Sequence, residues 1–126
     1  SSDLVMKELT KAEEEIMQVL WDLKSAYVKD IIPLLPEPQP AYSTVSTFVR
    51  ILQEKGFVGH EIHGRSHKYH PIITKEEYTR TFMKGFVKRY FSGSYRQMVS
   101  FFTKGDENLS LNELEELIKE LKNKNS

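Results

Sequence analysis

Residues 43–56, STVSTFVRILQEKG, carry two patterns at once. Val45, Phe48, Val49 and Leu52 recur at i, i+3, i+4 and i+7, the spacing of a helix with one face in a core. The other face holds Ser43, Ser46, Thr47 and Arg50. Solvated helix faces favour Glu, Lys, Gln or Ala, whereas Ser and Thr are poorer helix formers that compete for backbone hydrogen bonds. A helix that exposes hydroxyls and one cation, with Gly56 placed to cap its end, presents a face suited to close approach by a partner.

Upstream, Thr10 with Glu13 three residues later predicts a capping box, and Glu13, Glu14 and Glu15 suit the positive end of a helix dipole. Ile16, Val19, Leu20 and Leu23 then supply a buried stripe. Val28, Ile31, Ile32 and Leu35 predict a second, short helix, which Pro33 should bend or end early by removing a donor and crowding the preceding turn. PEPQP (36–40) is a stiff connector. Downstream of Gly56 the period drops from 3.6 to 2, so that residues 57–63 and 66–70 read as strands joined at Gly64-Arg65.

Three helices and a hairpin make a winged helix-turn-helix whose third helix is the one offered to a DNA major groove. Ser and Thr can donate or accept toward bases and phosphates, a Thr methyl can touch a thymine methyl, and Arg50 can take a phosphate or a guanine. The candidate DNA-binding residues are Tyr42, Ser43, Ser46, Thr47, Arg50 and Lys55 on the helix, with His63, Arg65, His67 and Lys68 on the wing. The alternative is a winged-helix module whose 43–54 face docks a protein.

Net charge is zero over the 126 residues, but its distribution is uneven. Residues 1–39 carry −4, 40–73 carry +2 with all four histidines, 74–104 carry +5, and 105–126 carry −3. A basic middle between acidic ends is compatible with a polyanion partner. Cysteine is absent, which excludes disulfides and thiolate metal sites and fits a cytoplasmic chain. No apolar run approaches the roughly 18 residues that would span a bilayer.

The second half follows a different logic. Thr74 and Glu77 predict another capping box, opening a helix that carries Tyr78, Phe82, Met83, Phe86, Val87, Tyr90 and Phe91 as far as Gly93. Tyr95, Met98, Val99 and Phe102 give a further stripe, and Ser110 with Glu113 opens a last helix bearing Leu111, Leu114, Leu117, Ile118 and Leu121. Three short helices cannot enclose that much apolar surface alone. A second copy of the chain is the simplest cover; folding back onto the winged helix, and a ligand pocket among the aromatics, are the other readings. The candidate dimerisation residues are Phe82, Phe86, Tyr90, Phe91, Met98, Val99, Phe102, Leu114, Leu117, Ile118 and Leu121. The expected fold is mostly α with a small β-hairpin: a winged helix over 1–73, then dimerisation helices over 74–126.

Two chemistries are declined. His60-x-x-His63 and His67-x-x-His70 repeat a short spacing, but 60 with 70, and 63 with 67, are symmetric about residue 65, so a hairpin would place them as two pairs on opposite faces, with no tetrahedral set. No metal and no cofactor are therefore expected. Nor is there a Gly-rich phosphate loop or a nucleophile with its base, so an enzyme is not expected.

The stretches LTKAEEEIMQVLW, YSTVSTFVRILQEKGFV, HGRSHKYHP and LSLNELEELIKEL, in that order, closely resemble the penicillinase repressor (BlaI/MecI/CopY) family from about residue 9 to 122. The resemblance implies homodimeric repressors of antibiotic-resistance or metal-homeostasis operons, with palindromic operators read by the winged helix. It assigns DNA contacts to Thr44 and Thr47, with Ser43 at a contacting position that is often Lys. Ile51 stands where relatives often carry Arg, and Ser46 and Glu54 stand at frequently basic positions. The copper-responsive branch carries a C-terminal cysteine motif that this chain lacks. In the β-lactam branch a membrane sensor protease signals cleavage at an Asn-Phe bond, whose counterpart falls at Phe101-Phe102, with Phe101 in place of Asn.

Overall fold

Thr10 and Glu13 open the first helix by satisfying each other's backbone. The Glu13 amide donates to Thr10 Oγ1 at 3.2 Å and the Thr10 amide donates to Glu13 Oε1 at 2.9 Å, so two otherwise orphaned donors are covered. In the computed structural model, residues 9–105 together with 113, 115, 116, 119 and 120 are described. The chain divides into two units, Ser1–Tyr78 and Thr79–Ser126.

The first unit opens with α1 (Lys11–Leu23). Ile16, Val19 and Leu20 are buried as their spacing predicts, joined by Met17, while Leu23 at the last turn is 40% exposed. The stripe ends one turn early because Lys24, at φ 72°, reverses the chain there. Pro33 acts as expected: α2 (Val28–Ile31) passes into a 3-10 turn over Ile32–Leu34. Next comes α3 (Tyr42–Glu54), with Val45, Val49 and Leu52 fully buried and Phe48 half-buried. Each fully buried aliphatic contributes about 1.5–3 kcal/mol relative to exposure. Gly56, at φ +86°, ends the helix in the left-handed conformation that a Cβ disfavours.

Strands β1 (Val58–His63) and β2 (Ser66–Pro71) pair antiparallel, and Ala26 bridges to Tyr69 through 2.9 and 2.8 Å backbone bonds, adding a short third edge. Gly64, at φ +65°, permits the two-residue turn. Pairing is Val58 with Pro71, His60 with Tyr69, Ile62 with His67, and His63 with Ser66. The symmetry point therefore lies between residues 64 and 65, not on residue 65. That half-residue displacement corrects the expected histidine pairs: Gly59 faces His70, and His60 and His67 share the Tyr69 face as diagonal neighbours.

Trp21 and Phe57 fix the exit from the wing. The Trp21 indole donates to the Ile73 carbonyl at 2.9 Å, and the Tyr78 ring lies 5.8 Å from Trp21 and 5.9 Å from Phe57. The capping box at Thr74 and Glu77 is present, with bonds of 2.9 and 3.0 Å. It opens α4 (Lys75–Phe91), whose first turn thus belongs to the winged-helix unit through Tyr78.

In the second unit, Phe86 and Val87 of α4 are 1% exposed, with Phe82, Tyr90 and Phe91 rings 5.2–6.4 Å from Phe86. Ser94 accepts from the Gln97 amide at 3.1 Å and starts α5 (Tyr95–Gly105). The expected last helix is helical at the described positions 113, 115, 116, 119 and 120. Leu111, Leu114, Leu117, Ile118 and Leu121, like the expected cap Ser110, lie outside the described residues. No helix among the described residues is long and apolar enough to cross a membrane.

Candidate nucleic-acid interface

The buried stripe of α3 orients its opposite face outward. Tyr42, Ser43, Thr44, Thr47 and Arg50 are exposed, and Ser46 is half-buried. Thr47 Oγ1 donates to the Ser43 carbonyl at 2.9 Å, and Arg50 Nη2 donates to Thr47 Oγ1 at 3.5 Å. The hydroxyl proton of Thr47 is thus spent inside the helix. The contact from Arg50 is long and lies on the exposed face.

Beside this face runs a groove of about 480 Å³. Tyr42 and Ser46 line it from α3, Tyr27 and Lys29 from the α2 side, and His63, Arg65, Ser66 and His67 from the wing. Of the predicted contacts the groove thus brings together Tyr42 and Ser46 from the helix with His63, Arg65 and His67 from the wing, while Ser43, Thr44, Thr47 and Arg50 do not line it. Lys68, half-buried on β2, lies at the same end, its ammonium 5.6 Å from the Tyr27 ring.

Lys55 also lies off the groove; its ammonium sits 2.8 Å from Glu13 Oε1, and Glu13 is 3% exposed. Burial works against ionisation of that carboxyl, but the Lys55 hydrogen bond and charge and the Thr10 bonds outweigh it and hold Glu13 below the ordinary carboxylate value. Lys55 thereby ties the end of α3 to the start of α1.

A stacked histidine pair on the wing meets α3 through Gln53. His60 and His67 stack at 4.4 Å with planes 14° apart, and His60 Nδ1 lies 3.1 Å from Gln53 Oε1 on α3. Tyr69 Oη is 3.5 Å from His67 Nδ1. Burial pushes the Tyr69 phenol up, with Arg50 opposing and Tyr42 adding to the rise, so Tyr69 stays a neutral donor beneath the groove. His63 lies on the other face of the hairpin, 3.2 Å from the exposed Glu61 carboxylate.

Sequence reasoning missed Tyr27, Lys29, Gln53 and Tyr69. Only the short SAYVKD stretch (25–30), with an aromatic and a cation just ahead of and within a four-residue helix, offered a signal for the first two. Gln53 on α3 gains its part by meeting His60 of the wing, and Tyr69 by pairing across the hairpin, neither of which a local pattern announces.

Of the apolar residues expected at a dimer contact, Phe86 is already buried within the protomer. Phe82, Phe91, Met98 and Phe102 are half-buried, Tyr90 is 41% and Val99 55% exposed. The Phe101–Phe102 bond is helical, with Phe101 59% exposed and the two rings 5.4 Å apart.

Comparison with known proteins gives one consistent answer. The penicillinase repressor family profile matches residues 9–123. The Penicillinase repressor of Bacillus licheniformis is 28% identical over 120 residues, covering 93% of this chain and 94% of that one. The Methicillin resistance regulatory protein MecI of Staphylococcus aureus is 28% identical over 112 residues, covering 87% and 89%. The solution structure of the DNA binding domain of the repressor BlaI superposes with a TM-score of 0.51 at 28% identity, over 58% of this chain and 90% of that domain.

Proposed function

The chain belongs to the penicillinase repressor family, and from that premise we propose that it is a transcriptional repressor that binds double-stranded operator DNA as a homodimer, not an enzyme. The observation that carries this reading is the exposed Ser43–Thr44–Thr47–Arg50 face of α3 standing beside a polar groove whose far wall is the wing. A recognition helix must bring its backbone near base edges, and short hydroxyl side chains allow that where long ones would not. In the proposed complex α3 enters the major groove, with Thr44, Thr47 and Arg50 toward bases. Arg65, His63, His67 and Lys68 hold the adjoining phosphates, which position the protein without specifying sequence.

The same fold supports a two-fold assembly. Tyr90, Tyr95, Val99 and Phe101 leave apolar area exposed on the second unit, which a copy of the chain would cover together with the half-buried Phe82, Phe91, Met98 and Phe102. Such a dimer requires a pseudo-palindromic operator. Once one half-site is occupied the other is bound intramolecularly, so the tail multiplies affinity without touching DNA. Cutting or loosening the tail, for instance at Phe101–Phe102 by a protease answering a membrane sensor, would release the operator of a resistance or stress-response operon. Helical backbone does not fit an extended protease cleft, so cleavage there would require α5 to open locally.

The test is a gel-shift titration of the full chain on its own promoter region across a salt series, with light scattering for mass. A discrete shift by a dimer, weakening steeply with salt as counterions are released, is expected. A dimer that shifts no duplex would refute the DNA reading in favour of a protein-docking module.

A further inference from the structure

Tyr27 is approached by two ammonium groups from different elements. Lys29 Nζ of α2 lies 5.8 Å, and Lys68 Nζ of β2 lies 5.6 Å, from the centroid of its ring. Both distances are within the range in which an aromatic face attracts a cation. The His63 ring meets the same tyrosine edge-on at 6.3 Å. Among the described residues, neither lysine has an ion-pair partner. Two like charges drawn toward one side chain would repel each other unless something holds them there. A carboxylate could do so, but it would cancel the charge it held. An aromatic face positions the ammonium groups and leaves their charge available.

We infer that Tyr27, Lys29 and Lys68 form a phosphodiester-binding station on the α2 side of the groove, with Tyr27 as the positioning residue and the two lysines as the donors. This inference rests on the DNA reading and extends it, because it adds α2 to a footprint otherwise made by α3 and the wing. The station contacts backbone only, so its contribution is independent of operator sequence. Tyr27 and Lys29 line the same groove as Arg65 and Ser66, so a duplex seated on α3 would bring its flanking phosphates to this end.

The experiment is binding of the full chain to its operator and to a random duplex across a salt series. Lys29→Ala removes an exposed side chain and is expected to make the slope of log affinity against log salt shallower by about 0.9, the value of one phosphate contact, on both duplexes alike. Tyr27→Phe keeps the ring and is expected to bind like the unsubstituted chain. Tyr27→Leu keeps bulk without the ring's charge distribution and is expected to weaken binding about twofold to fivefold, and less so when Lys29 is already alanine. Thermal midpoints accompany each measurement, and Lys29→Ala decides the matter should Tyr27→Leu fold poorly. Normal binding by the unsubstituted chain with an unchanged Lys29→Ala slope would overturn this inference alone. Absence of salt-sensitive binding by the unsubstituted chain would overturn the DNA reading and this station with it.

Discussion

Replacing Lys55 with methionine should separate a scaffold cation from a DNA-contacting one. The substitution preserves the stem and deletes the ammonium 2.8 Å from a carboxylate that is 3% exposed. Glu13 would keep its bond from the Thr10 amide at 2.9 Å but lose its countercharge. A hydrogen bond to a charged group contributes about 1.5–3 kcal/mol. Lys55 is itself 21% exposed, so water would replace part of the loss, and a cost of about 1.5–2 kcal/mol is expected. For a domain of this size that lowers the thermal midpoint by about 6–15 °C. The loss should depend on pH in a definite direction. Glu13 is held below its ordinary value of 4.5 in the folded chain, so the stabilisation is present above that value and fades as pH falls through the lower, native one. Denaturant unfolding at pH 7 and near pH 3 is the assay, with Glu13→Gln and the double variant completing a cycle. The two losses should overlap by about 1 kcal/mol, because either substitution removes the same bond. A Lys55→Met variant as stable as the parent at pH 7, or a deficit undiminished in acid, would refute the argument. So would a shallower salt slope for DNA, which would return Lys55 to the phosphate contacts.

The remaining predictions concern the groove and the tail. Because the Thr47 proton is bound to the Ser43 carbonyl, Thr47→Val should hold operator affinity while Thr47→Ser loses about 1 kcal/mol of methyl contact; a gel shift that ranks them the other way round would show the hydroxyl reading a base. Trp21→Phe deletes the 2.9 Å bond to the Ile73 carbonyl and should lower stability by about 0.5–1.5 kcal/mol with operator affinity unchanged at temperatures where the variant is folded. A fragment ending at Tyr78 should bind the operator about a hundredfold or more weakly than the full chain at equal protomer concentration, and equal affinity would remove dimerisation from the mechanism.

Much of the winged helix was legible because its signals are local. The Thr10–Glu13 and Thr74–Glu77 boxes lie within one turn, the α3 stripe within two, and Gly56 and Gly64 mark their bends by the lack of a Cβ. What escaped is long-range or fine-grained. Lys55 meets Glu13 across 42 residues and Trp21 meets Ile73 across 52. Tyr78 carries the same apolar signal as Phe82, yet one packs with Trp21 and Phe57 in the first unit and the other with Phe86 in the second. The histidine pairs failed on half a residue of register, since a hairpin's symmetry point is set by its turn and not by the spacing of like residues.

Lys29, Lys55 and Lys68 are one residue type with two opposite uses, and the difference lies in what holds each ammonium. Lys55 is held by a buried carboxylate, so its charge is neutralised where it stands and its energy goes into the placement of α3. Lys29 and Lys68 are held near an aromatic ring, which orients without neutralising. A sequence charge count treats all three alike, which is why a chain of zero net charge can still present a cationic groove. The distinction is open to measurement in two variables at once. Lys55→Met should move stability and leave the salt slope alone, and Lys29→Ala should move the slope and leave stability alone. If the two substitutions move both quantities together, charge in this fold is not partitioned between scaffold and interface, and the groove's field must instead be a property of the whole domain.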